Sequence, residues 1–248
     1  LLRFRNPEIH PSRTRPALRS LSIDLETSPD ASRIFSAALV GCGVEEVHMV
    51  SQRPVEGAQD HPDERLFLAG LMARIRELDP DILVGWNVVD FDLRVLADRC
   101  HSLHLASRLG RVEGEIRFQR DTSFTRQSRA EIPGRVVLDG IPLVRDAIRL
   151  PDYRLETAAR SLLGRGKRID SELPNAAAEI ERMYREEPQA LVEYNLEDAR
   201  LVREILEKEG LLELSVERSL LSGMQLDRVG ASIASFDLIY IPELTRRG

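Results

Sequence analysis

The chain is poor in cysteine: Cys42 and Cys100 are the only two in 248 residues, and neither has a CxxC neighbour. That excludes a disulfide scaffold and offers no zinc-finger spacing, and it suits a reducing cytoplasm. No apolar run reaches the roughly 18 residues that a membrane span needs, and no signal peptide is present, so no membrane partner is expected. Internal repeats and low-complexity tracts are missing as well. The chain starts at Leu1 without a methionine and ends at Gly248 among charges, and so reads as a piece of something longer. With 42% hydrophobic and 31% charged residues it describes a globular protein long enough for a sizeable core.

A positive overall charge is also lacking. The net charge of −6 argues by itself against a nucleic-acid partner, but its distribution does not. Residues 1–20 carry five arginines against Glu8 alone, and residues 108–135 carry seven arginines against four acids. Acids dominate residues 179–213, eleven against five bases. A protein that meets a polyanion through metal ions can be acidic overall and basic in patches.

The stretch Leu21-Ser22-Ile23-Asp24-Leu25-Glu26-Thr27 alternates apolar and polar residues with the period of a β-strand. Asp24 and Glu26 then share a face, about 7 Å apart along the strand. Two acids there repel each other, and a divalent cation between them would reverse the sign. On these seven residues alone the simpler account is an edge strand with a solvated polar face.

Residues 1–17 read as a linker. After the strand 18–27, Arg33–Val40 and Val44–Val50 read as strands joined through Gly41-Cys42-Gly43, which predicts a three-strand antiparallel meander. Pro54–Asp63 reads as a loop. Leu68, Leu71, Met72, Ile75 and Leu78 predict a helix over Glu64–Leu78, and Ile82–Trp86 a short buried strand. Asp92 follows at the start of a helix just past that strand's end, where the sites of α/β sheets collect. Glu115–Arg120 and Arg135–Asp139 alternate as strands, giving a β-hairpin insertion and then the buried strand Val136-Val137-Leu138. The helix Leu155–Leu163 ends at Gly164. The turn Gly164–Arg168 lacks the strand and the Ser/Thr of a phosphate loop and reads as a basic surface turn. On a helix over Pro188–Lys208, Tyr194 and Asp198 are four residues apart and share a face.

Asp24 with Glu26, Asp92 and Asp198 thus offer carboxylates from three separate places. An oxygen-rich set without cysteine or histidine suits Mg²⁺ or Mn²⁺, not zinc. Asp139, on a buried strand, is either a fifth acid or, more simply, a cap on the turn at Gly140.

The order Ser22-Ile23-Asp24-Leu25-Glu26-Thr27, then Gly85-Trp86-Asn87-Val88-Val89-Asp90-Phe91-Asp92, then Tyr194-Asn195-Leu196-Glu197-Asp198 resembles the three exonuclease motifs of family B DNA polymerases, above all the bacterial ones. The resemblance runs from about Leu18 to the end. It implies a proofreading 3′→5′ exonuclease on an α/β, RNase H-like fold: a mixed five-stranded sheet, meander plus parallel strands, flanked by helices, with the hairpin inserted. It also implies two divalent cations, Mg²⁺ or Mn²⁺, held by Asp24, Glu26, Asp92 and Asp198. Glu26 and the Tyr194 hydroxyl would orient the attacking water, and Thr27, Asn87 and Phe91 would hold the terminal nucleotide, although a packing role for Phe91 is equally open. No histidine stands just before Asp198, so the tyrosine subtype is expected.

The implied organisation is a linker or tail of a preceding N-terminal domain over 1–17, the exonuclease domain over 18–212, and over 213–248 a connection into a polymerase palm. The family's polymerase motifs are absent, so proofreading without synthesis is expected. The implied partners are the single-stranded 3′ end of a DNA primer and the palm and N-terminal domains of the same parent chain, in a bacterial, cytoplasmic and nucleoid-associated setting. Two alternatives stay open: a free-standing tyrosine-subtype exonuclease, and a catalytically inactive DNA-binding domain of the same fold.

Overall fold

The computed structural model of the chain describes residues 14–119, 128–165, 176–228 and 232–247, together with Asn6, Glu8 and Ser12. The first strand, β1 (Ser20–Thr27), lies centrally and not at an edge. It pairs antiparallel with β2 (Ile34–Gly41), which pairs antiparallel with β3 (Val44–Val50). On its other side β1 runs parallel to β5 (Ile82–Gly85), which runs parallel to β8 (Val136–Asp139). The meander forms because Gly41-Cys42-Gly43 closes β2 onto β3 through three successive positive-φ residues.

A sixth strand, β4 (Ala58–His61), pairs parallel with the free side of β3, so the sheet order is β4-β3-β2-β1-β5-β8. The expected five-stranded sheet is corrected to six, and the expected loop 54–63 contains that strand. Ala58-Gln59-Asp60-His61 has no hydrophobic alternation to reveal it. It is held by backbone pairing at an edge where its two central side chains are exposed.

Both faces of the sheet are covered, which is why all eight residues of β2 are buried. Leu21, Ile23 and Leu25 pack with α1 (Glu64–Leu78) and α2 (Asp92–Ser102) through Phe67, Leu68, Leu71, Leu93 and Leu96. The opposite face of β2, carrying Phe35, Ala38 and Val40, packs with α5 (Ala176–Glu186) and α6 (Pro188–Lys208) through Ile180, Met183, Leu191, Val192 and Ala199. The polar face of β1 therefore looks not into bulk solvent but toward α6.

Between α2 and β8 stands the expected hairpin, β6 (Arg117–Gln119) paired antiparallel with β7 (Arg129–Glu131); its residues 120–127 lie outside the described ones. Arg111 and Arg135, one before and one after it, both pair with Asp79 at the α1 C-terminus, at 2.6 and 3.0 Å. After β8 come α3 (Gly140–Ala147) and α4 (Leu155–Leu163), the latter capped by Gly164 at φ +74°. Residues 166–168 of the basic turn lie outside the described residues, as do most of 1–17. The chain closes with α7 (Leu211–Ser222) and α8 (Ser232–Arg247), the second presenting exposed Ile233, Phe236, Ile239, Tyr240, Ile241 and Leu244. A division at 212/213 falls in the first turn of α7.

Candidate active site

Strand β1 and helix α6 build the site. One carboxylate oxygen from each of Asp24, Glu26 and Asp198 lies within 4.8 Å of the others. Asp24 and Glu26 meet because alternate residues of a strand share a face, and Asp198 joins them because α6 crosses that face. The first two are half-buried and Asp198 is buried. Such a set is repulsive alone, and its all-carboxylate chemistry fits a hard divalent cation.

Asp92 sits beside this trio without being one of it. It opens α2, is 2% exposed, and its Oδ1 accepts the backbone N–H of Leu25 at 2.8 Å. Leu25 lies beyond Ser22 and Val84, the last partners of β1 and β5, so Asp92 takes a backbone donor past the end of that pairing. The bond ties α2 to the residue between the two strand acids. Tyr194 lies one turn before Asp198 on α6 and is 9% exposed.

The loop between β5 and α2 carries two of the expected nucleotide-binding residues. Asn87 is exposed and holds φ +64°, an unusual backbone for a side-chain-bearing residue. Phe91 is 37% exposed, so it does not pack in the core; of its two open roles, the exposed one survives. Thr27 sits at the β1 bulge, nearly buried, with its hydroxyl donating to the Ser28 carbonyl at 3.0 Å. The loop starts at Gly85 for a steric reason: a Cβ there would fall 2.7 Å from the Ile23 carbonyl oxygen, forcing β5 away from β1 next to Asp24.

Asp139 proves to be the cap, and more. Its Oδ1 accepts from Ile141 N–H at 3.0 Å at the start of α3 and from Asn87 N–H at 3.1 Å, while Oδ2 accepts from Val89 N–H at 3.2 Å. Burial pushes its carboxyl above the ordinary value, although the three backbone donors pull the other way. It shapes the nucleotide-side loop from beneath.

Sequence reasoning gave Asn195 no role. It is fully buried, donates through Nδ2 to Asp24 Oδ2 at 2.7 Å and to the Asp24 carbonyl at 3.1 Å, and accepts from Ser36 Oγ at 2.8 Å. The available signal was an asparagine, a poor helix former, in mid-helix between two candidate site residues.

A central strand with paired acids, a crossing helix with a third and a buried fourth at an adjacent helix start define a class, and comparison with known proteins agrees. The family described as DNA polymerase family B, exonuclease domain, matches residues 3–158, and the chain belongs to that family. Among individual proteins it is 35% identical to DNA polymerase II of Escherichia coli K12 over 243 residues, 94% of this chain and 30% of that protein. It is 29% identical to a DNA polymerase of Thermococcus kodakarensis over 230 residues, 87% of this chain and 13% of the other. The fold matches the family B DNA polymerase of Pyrobaculum calidifontis with a TM-score of 0.76 at 23% identity, covering 96% of this chain and 30% of that one. The chain thus spans about a third or less of these relatives. Among the described residues, no helix is long and apolar enough to cross a membrane.

Proposed function

We propose that this chain is a 3′→5′ exonuclease that proofreads DNA synthesis, hydrolysing the terminal phosphodiester of single-stranded or frayed primer ends and releasing nucleoside monophosphates. The observation that carries the reading is the convergence of Asp24, Glu26 and Asp198 from two elements far apart in sequence, their oxygens within 4.8 Å of one another. Asp24, Glu26, Asp92 and Asp198 are the residues that would hold two divalent cations, Mg²⁺ or Mn²⁺. Bound there, the cations supply an activated water and charge stabilisation at the leaving 3′-oxygen. Glu26 and the Tyr194 hydroxyl orient that water; a phenol with a pKa of about 10 is a poor base near neutrality, so Tyr194 positions and does not deprotonate.

Thr27, Asn87 and Phe91 hold the terminal nucleotide, Phe91 by stacking from its exposed position. The arginines of the hairpin contact the backbone. Mispaired ends are selected because they unpair at lower cost. The natural setting is a longer, nucleoid-associated polymerase in the bacterial cytoplasm, with residues 1–17 leading from an N-terminal domain and 213–248 leading into a palm. The exposed apolar residues of α8 support a covering neighbour of that kind.

A 5′-labelled single-stranded oligonucleotide tests the reading. In Mg²⁺ it should shorten from the 3′ end with the label retained, blunt duplex should react much more slowly, and chelator should stop both. Early loss of the label, or activity indifferent to chelator, refutes it.

A further inference from the structure

We infer that Asn195 is a positioning residue that presets the metal-binding geometry of Asp24 and locks strand β1 to helix α6. The inference rests on the reading of Asp24 as a metal-binding carboxylate. Asn195 stands one residue after Tyr194 and three before Asp198 on α6, and its amide grips Asp24 twice, at Oδ2 (2.7 Å) and at the backbone carbonyl (3.1 Å). Holding main chain and side chain together fixes the carboxylate's rotation, leaving its other oxygen as the one set by the grip.

The amide's orientation follows from its neighbours. Asp24 presents two acceptors, so Nδ2 must face it, and the Ser36 hydroxyl donates to Oδ1 from the other side at 2.8 Å. A flipped amide would set an oxygen against a carboxylate and a carbonyl. Ser36 is itself the strand partner of Glu26, and both Ser36 and Asn195 are 0% exposed. One bonded chain therefore runs from the strand beside Glu26, through α6, to Asp24. A neutral donor suits this task, because a cation here would cancel the charge that attracts the metal.

The test is Mn²⁺ binding by calorimetry, with the metal-induced rise in melting temperature as a second readout, on wild type, Asn195→Ala and Ser36→Ala. Asn195→Ala should weaken Mn²⁺ binding about tenfold or more, as loss of a ligand's hydrogen-bonded support does elsewhere. Its kcat should return toward wild type at saturating metal, with KM for DNA unchanged. Ser36→Ala leaves both Asp24 bonds in place and should weaken binding by a smaller factor. Wild-type Mn²⁺ affinity in a folded Asn195→Ala protein overturns the inference. Should Asn195→Ala fail to fold, unchanged affinity in Ser36→Ala overturns it instead. Failure of the wild type to bind Mn²⁺ at all sinks the metal reading itself, which is a separate outcome.

Discussion

Asp198→Asn separates a metal-holding acid from a structural one, because the two roles predict opposite effects on stability. Three carboxylate oxygens within 4.8 Å of one another form three repelling pairs when all are ionised. At an effective dielectric of about 20, a pair at that distance repels by about 3–4 kcal/mol. Water around the half-buried Asp24 and Glu26 cuts this to about 1 kcal/mol or less per pair. The amide keeps the shape of Asp198 and deletes two of the three pairs. In chelator the variant should therefore melt at or above wild type, by a few degrees, at about 2–4 °C per kcal/mol for a chain of this size. Mg²⁺ should act the other way. At about a hundred times its dissociation constant it adds about 2.7 kcal/mol to the wild type, about 5–10 °C, and much less to the variant. Differential scanning calorimetry in EDTA and in saturating Mg²⁺ reads both numbers. An Asp198→Asn protein that melts far below wild type in EDTA, or gains as much from Mg²⁺, means the acid is structural and the site is misplaced.

Tyr194→Phe removes one hydroxyl worth about 1–3 kcal/mol and should slow cleavage about 10–100-fold with the fold intact; a wild-type rate would show that the hydroxyl does not serve the water. On the far side of the sheet, His48 Nδ1 lies 3.0 Å from His61 Nε2, and burial first, then for His48 its histidine neighbour, pulls both below the ordinary 6.5. Glu46, 3.5 Å from His48, only partly offsets this. Because the folded protein keeps them neutral while the unfolded chain protonates, stability should fall as pH drops below 6.5 and stop falling beneath the folded-state values. The slope is at most about 1.4 kcal/mol per pH unit for each proton. Urea midpoints from about pH 5 to 7 should show it, and His48→Leu should flatten it; a flat wild-type profile, or an equally steep one in the variant, contradicts the account.

Helices α1 and α6 were legible to the residue, since their apolar spacing is regular and Asp63, Asp79 and Pro188 mark their ends. The two strand acids were legible from alternation, and Asp198 from helical spacing. The depth of β1 was not. Seven alternating residues look the same at an edge or at the centre, and only α6, some 170 residues away, decides which face is covered. Strand β4 escaped because a four-residue polar edge is specified by backbone bonds alone. Asn195 escaped for a related reason: a buried amide has no period, and its meaning lies in what it faces.

The paired arginines at the root of the hairpin bear on how this chain tolerates change. Arg111 and Arg135 close the insertion onto one carboxylate, Asp79, with Asp81 and the Pro80 carbonyl as further holds. A segment whose two ends are pinned at one point transmits little of its own length to what lies below. Doubling a flexible loop costs only about 0.6 kcal/mol, so the stretch between β6 and β7 is open to lengthening or replacement while the catalytic face stays in register. The clamp makes the insertion a handle by which different substrate ends can be met on an unchanged core.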